Sequence, residues 1–273
     1  ESGNSDHWTI DPSRTKAVEE AIKKDKPKMT GSSRSRGYPP EYYHNILHNP
    51  EARDPRGYIL PSDQDDFLTA GKFINTLIKN GITVLQATAS FKTGDKTYPQ
   101  GSYIIKTAQA FRPHILDMLE PQYYPNKPSS SGVTPKPPYD SAGYTLAFQM
   151  GVEFDRILEG FDGPFEKIKG LVQPSPGRIY GKGKAGFLLS HKTNDSFIAV
   201  NRLLKSGEKV FWLQNPLKIN NRLFSAGAIY IPAASSTEIK VSELAAELGL
   251  NFFTMDKNPT GTALALKPTR IGL

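Results

Sequence analysis

The sequence predicts an α/β (or α+β) fold made of two copies of a β-α-β-β unit, each with a following helix, around a mixed sheet. Three observations carry this. Most of Gly57–Ile105 recurs as Gly186–Ile231. Each segment holds one amphipathic helix pattern that stops at Lys-x-Gly (Lys79/Gly81, Lys205/Gly207). Each then ends in short apolar runs joined by turn residues. Both segments open with Gly and an apolar triplet, Tyr58-Ile59-Leu60 and Phe187-Leu188-Leu189. From the helix-ending glycine they align without a gap, Val84 with Val210, Phe91 with Leu217, Tyr98 with Phe224 and Gly101 with Gly227. Two copies are too few for a solenoid. The βα crossover favours a parallel neighbour and the turn-linked strands favour antiparallel pairing.

Taken in order, residues 1–54 form an N-terminal lead with a short helix and a flexible linker. Asp11-Pro12 opens the helix, since Asp caps well and Pro suits the first helical position. Ala17, Val18, Ala21 and Ile22 give it a modest apolar stripe. Asp25–Pro40 has turn and linker composition. Residues 55–170 hold the first unit. Tyr58–Leu60 reads as a strand, and Ser62, Asp63 and Asp65 offer cap oxygens to the next helix. That helix carries Phe67, Ala70, Phe73, Ile74, Leu77 and Ile78 on one stripe. Ile82–Ala87 and Ser102–Lys106 read as strands, with turns at Lys92–Asp95 and Tyr98–Gly101. Arg112–Glu120 reads as a helix. Pro121–Tyr139 is a Pro-rich connection between copies, with six prolines and a Ser-Ser-Ser-Gly run. Ser141–Met150 reads as helical. Residues 171–273 hold the second unit and the start of a further domain. Asn194, Asp195 or Ser196 caps a helix bearing Phe197, Val200, Leu203 and Leu204. Lys209–Leu213 and Ala228–Ile231 are strands, Asn220-Asn221 is a hairpin turn, and Val241–Leu248 is a helix ended by Gly249. Thr262–Leu266 and Arg270–Leu273 read as strand starts.

Composition excludes several functions. The chain has no cysteine, which removes disulfides, thiolate metal sites and a Cys nucleophile. No apolar run approaches ~18 residues, so no membrane span is expected. The net charge of +7 is scattered through helices and loops rather than gathered on one face, so nucleic acid is not an expected partner.

Few motifs carry chemistry. Gly181-x-Gly183-x-x-Gly186 spells a dinucleotide fingerprint but precedes an apolar strand instead of opening a helix. His44 and His48 lie four apart, yet the glutamate of H-E-x-x-H is missing. His48-Asn49-Pro50-Glu51 spells H-x-x-E and follows a linker, without parallel strands before it. The residues best placed for a ligand are Ser62 and Asp63 in the first copy and His191, Lys192 and Asn194 in the second. They follow a short strand and precede a helix N-terminus, where ligands and anions collect in α/β sheets. Helix capping uses the same residue types. With Lys192 and His191 the second position should favour an anion such as a peptide carboxylate, while Asp63 and Asp65 make the first acidic.

Four stretches, DHWTIDPSR (6–14), RGYILPSDQDD (56–66), YPQGSYIIKTAQAFRPHILDMLEPQYYP (98–125) and YDSAGYTLAFQMGVEFDRILEGFDGPFEKI (139–168), resemble the region after the catalytic domain in large exported bacterial proteins similar to zinc carboxypeptidases of the carboxypeptidase A superfamily. The resemblance implies a periplasmic or secreted protein. It also implies a zinc-bearing peptidase domain upstream of Glu1 and a further α/β domain beginning near Ile271. The family's zinc ligands do not carry over: of the five histidines only His48 has Glu three residues on. The expected function is therefore a non-catalytic accessory region, without zinc or another cofactor of its own. Its expected partners are neighbouring domains of the same polypeptide and a peptide or cell-wall substrate. The alternative is an independent ligand-binding α/β module, and a hydrolase using His48 and Glu51 is a distant third.

Overall fold

A computed structural model describes residues 2–10, 12–29, 31, 37–122, 145–219 and 221–268. The expected Pro-rich connection from residue 123 onward, residues 141–144 of the expected helix, Asn220 and the 270–273 strand start lie outside the described residues. The chain divides into two compact units, Glu1–Ser62 with Thr76–Lys169, and Asp63–Asn75 with Gly170–Leu273. No helix among the described residues is long and apolar enough to cross a membrane.

The first unit begins with helices α1 (Pro12–Asp25) and α2 (Pro40–Leu47). It continues through β1 (Gly57–Leu60), α3 (Phe67–Lys79), β2 (Leu85–Ala87), β3 (Phe91–Thr93), β4 (Lys96–Tyr98), β5 (Tyr103–Lys106), α4 (Arg112–Leu119), α5 (Leu146–Gln149), β6 (Asp155–Ile157) and β7 (Phe165–Lys167). The division between units falls inside α3. Five strands form one sheet in the order β6-β1-β5-β2-β7, every pairing antiparallel. β1 and β2 run parallel to each other, as a βα crossover favours, but β5 lies between them.

The second unit runs through β8 (Ile179–Tyr180), β9 (Gly186–Leu189), α6 (Asp195–Lys205), β10 (Phe211–Leu213), β11 (Leu217–Ile219), β12 (Arg222–Phe224), β13 (Ile229–Pro232), α7 (Thr237–Leu248), β14 (Phe252–Met255) and β15 (Ala263–Ala265). Its sheet has the order β15-β10-β13-β9-β14-β8 and is mixed, because β14 and β8 are parallel.

Both units contain a hairpin, expected from the sequence at Asn220-Asn221 in the second and only as turns at Lys92–Asp95 and Tyr98–Gly101 in the first. β3 pairs with β4, and β11 pairs with β12. The observed order is thus strand, helix, strand, hairpin, strand, helix, rather than β-α-β-β with a helix. Corresponding registers agree. Tyr58 faces Ile105 as Phe187 faces Ile231, and Leu60 faces Tyr103 as Leu189 faces Ile229. The hairpins explain the burial. Ile59, Ala87, Phe91, Tyr98 and Ile104 form one apolar cluster; Leu188, Leu213, Phe224, Ala228 and Tyr230 form another, with Leu217 packed against it. Successive strand residues point to opposite faces. The other face of the second sheet is covered by Ala199, Val200 and Leu203 of α6 and Val241, Leu244 and Ala245 of α7.

The G-x-G-x-x-G run has a packing role. The Gly183 N–H donates to Thr254 Oγ1 at 2.9 Å. A Cβ at Gly183 would lie 2.3 Å from Met255 backbone, and one at Gly186 would lie 2.5 Å from the Ile231 carbonyl oxygen.

Helices α3 and α6 end alike. Gly81 and Gly207 both adopt φ +84°. The Ile82 N–H reaches back to the Leu77 carbonyl at 3.1 Å, and the Glu208 N–H to that of Leu203 at 3.0 Å. This six-residue closure needs a left-handed residue, which Gly supplies without a Cβ clash. A Cβ at Gly207 would meet nothing within 4 Å, whereas one at Gly81 would lie 3.0 Å from the Phe111 ring. Gly207→Ala should therefore cost about 1 kcal/mol, all of it torsional, and Gly81→Ala should cost more. Urea unfolding of both variants checks this, and equal costs would refute the role given to Phe111.

Candidate functional site

The polar residues between strand and helix are placed by the elements around them. Ser62 follows β1. Its N–H donates to Ser102 Oγ at 3.1 Å and its hydroxyl to the Gln100 carbonyl at 2.8 Å, so it ties the end of β1 to the turn entering β5. Asp63 is exposed. His191, at the position matching Ser62, lies against Gly227: a Cβ there would approach its ring to 3.3 Å.

The remaining polar groups meet within the second unit. Lys192 Nζ lies 2.6 Å from Asp65 Oδ2. The Asn194 backbone N–H donates to Asp66 Oδ2 at 2.9 Å, and its side-chain amide donates to Thr69 Oγ1 at 3.1 Å. Lys72 pairs with Asp195. Asp66 also caps its own helix, accepting from the Thr69 N–H at 3.1 Å and the Thr69 hydroxyl at 2.7 Å. The sequence reading expected Ser62, Asp63 or Asp65 in that role. It also expected α6 to be capped by one of its own residues, but the Asn194 side chain makes no capping bond. A carboxylate from another segment does that work instead. An anion at a helix N-terminus meets unpaired N–H groups and a partial positive charge, and here Asp66 is that anion.

A second polar cluster went unread. Asp54, in the loop before β1, is only 7% exposed. Its carboxylate accepts from the Thr9 N–H and hydroxyl at 3.0 and 2.8 Å and from Arg112 at 2.7 Å, and it contacts His7 Nδ1 at 3.0 Å. Burial alone would raise its pKa. Arg112, His7 and Thr9 outweigh that and hold it below the usual carboxylate range. The cluster fastens residues 7–9 to α4. No sequence signal marks it, because the partners of Asp54 lie 45 to 58 residues away from it.

The His44 and His48 rings lie 4.2 Å apart between centroids, tilted by 33°, and Trp8 meets His48 edge-on at 4.8 Å. The Glu51 N–H donates to Asn49 Oδ1 at 3.0 Å, inside a short 3-10 turn. Among the described residues no group of three His, Asp or Glu side chains is arranged to hold a metal ion.

A concavity lies in the first unit, beside β6. It is a groove of about 580 Å³ lined chiefly by Leu119, Pro121, Phe148 and Phe154, with Lys96, Asp155 and Arg156 at its polar margin. Phe148 is 54% exposed and stacks on Phe154 at 5.7 Å, and Tyr58 holds Phe154 edge-on at 5.8 Å. The sequence reading assigned these residues no role.

No protein-family model, curated protein or solved structure matches this chain.

Two outcomes follow from the charges. Asp66→Ala should cost about 1–2 kcal/mol, since one carboxylate serves two helix starts. Asp65→Ala, which breaks an exposed ion pair, should cost less than about 1 kcal/mol. Thermal unfolding of the two variants checks this, and equal costs would remove Asp66 from its capping role. Asp54 contributes stability above the usual carboxylate range and loses it as pH falls through its depressed folded value. Asp54→Asn should therefore lower the melting temperature near about pH 7 and flatten its fall toward about pH 3. An unchanged acid limb would show that Asp54 does not govern it.

Proposed function

We propose that this chain is a non-catalytic accessory region of an exported, zinc-carboxypeptidase-like protein, bracing the peptidase domain or assisting its hold on a peptide or cell-wall substrate. The four stretches of sequence resemblance supply the context. One observation supports the non-catalytic part. Three pairs of charged and amide groups around the strand ends are committed to one another and to helix N-termini (Lys192 with Asp65, Asn194 with Asp66, Lys72 with Asp195). A reaction centre needs a base or nucleophile directed at a substrate, and these groups are directed at the protein.

We also read the two segments as copies of one unit. The equal registers of β1 with β5 and of β9 with β13 support this, as do the equal torsions at Gly81 and Gly207. A second functional reading, an independent ligand-binding module, is favoured by the groove beside β6.

Sequencing the whole reading frame tests the context. An upstream H-x-x-E motif with a later His supports the proposal, and a frame without a peptidase domain ends it. The purified chain should bind no stoichiometric zinc and release no C-terminal amino acid from peptides, because His48 and Glu51 lack a third ligand. One equivalent of zinc by metal analysis, lost in His48→Ala, would overturn this.

A further inference from the structure

We infer that the groove beside β6 binds an extended peptide segment, which adds to the sheet along the β6 edge and seats an apolar side chain on Phe148. The inference deepens the binding-module reading and does not depend on a peptidase domain.

Three independent features lead there. First, β6 ends the five-stranded sheet, and among the described residues it pairs with β1 alone. An edge strand presents a row of backbone donors and acceptors, which an added strand satisfies. Second, the groove opens at the start of this edge, where Pro61 follows β1 and residues 152–154 lead into β6. Asp155 and Arg156 of β6 line it, as do Leu119 at the end of α4 and Phe148 of α5. Its volume of about 580 Å³ is within the ordinary range for ligand sites. Third, its platform is preformed. Phe154 is fixed by Tyr58, and Phe148 stacks on it with its ring planes 22° apart while staying exposed.

The charges define what the occupant is. Lys96 pairs with Asp155 at 2.6 Å, and Arg156 pairs with Glu120 at 2.7 Å, on which the Tyr58 hydroxyl also converges at 2.6 Å. These two pairs neutralise one another, and Glu153 adds a further carboxylate to the lining, so the groove does not favour an anion. Main-chain pairing supplies affinity and an apolar side chain supplies selectivity. That is the chemistry of a neutral peptide strand, with Phe or a similar ring as its anchor.

The test is an amide chemical-shift titration of the whole chain with acetyl-Ala-Ala-Phe-Ala-Ala-amide. Saturable shifts should gather at residues 148–157, with a dissociation constant of about a millimolar or tighter. The same peptide N-methylated at alternate amides should bind at least about tenfold more weakly, since it cannot complete the ladder. Phe148→Ala should weaken binding to a similar degree. If N-acetylphenylalaninamide binds as tightly as the pentapeptide, strand addition is wrong while the binding-module reading stands. If no probe gives saturable shifts, or the shifts scatter over the surface, the peptide site falls and the module reading falls with it.

Discussion

The fold depends on one constraint: the central strands are apolar on both faces. Every residue of Gly57–Leu60 and Gly186–Leu189 is buried. Such a strand needs two covers, and one helix layer supplies only one. The hairpins supply the other. Phe91 and Tyr98 close over Ile59 and Ile104, and Phe224 and Leu217 close over Leu188 and Tyr230. An isolated three-residue hairpin is not stable in water; it persists here because its apolar side chains complete a core. The chain returns from each hairpin through Gly101 or Gly227, at φ +89° and +91°. Their N–H groups donate to the carbonyls of Ala87 and Leu213 at 2.8 and 2.7 Å, which seals the hairpin to the sheet.

This constraint also separates what could be read in the sequence from what could not. The helices were legible, because a 3.6-residue apolar period and a stopping glycine are local signals. Ala70, Phe73, Ile74 and Leu77 are all fully buried, as their spacing requires. The α/β (or α+β) class followed from the same signals; the second sheet is mixed as expected, but through β14 and β8 rather than through the βα crossover. The hairpins were half legible. Lys92–Asp95 and Tyr98–Gly101 were read as turns, but nothing local says that Phe91 and Tyr98 face a sheet. The strands β6, β7 and β14 were not legible. Asp155-Arg156-Ile157 and Phe165-Glu166-Lys167 are too short and polar to show a period, and they are strands only because β1 and β2 offer them ladder bonds. The groove beside β6 was invisible for the same reason, since its walls come from segments that are distant in sequence.

The residues picked for a ligand show a different limit. Small polar residues between a strand and a helix start have the same composition whether the N–H groups await an anion or already have one. Ser62 bonds to the turn before β5, His191 lies against Gly227, and Lys192 and Asn194 meet Asp65 and Asp66. Only the partner distinguishes the two cases, and the partner lies 127 and 128 residues away in those bonds.

The unequal charge of the two turns then has an explanation that needs no ligand. A carboxylate can only accept, and an ammonium or a backbone N–H can only donate. One turn supplies acceptors in Asp65 and Asp66, and the other supplies donors in Lys192 and the Asn194 N–H. Two acidic turns brought together would crowd four carboxylates, and two basic turns would leave the N–H groups without an acceptor. The exposed pair adds little stability by itself, with Lys192 48% and Asp65 62% exposed. Its effect is selective: it favours this pairing of unlike turns over any pairing of like ones. The charges of the two turns are thus complementary within the second unit.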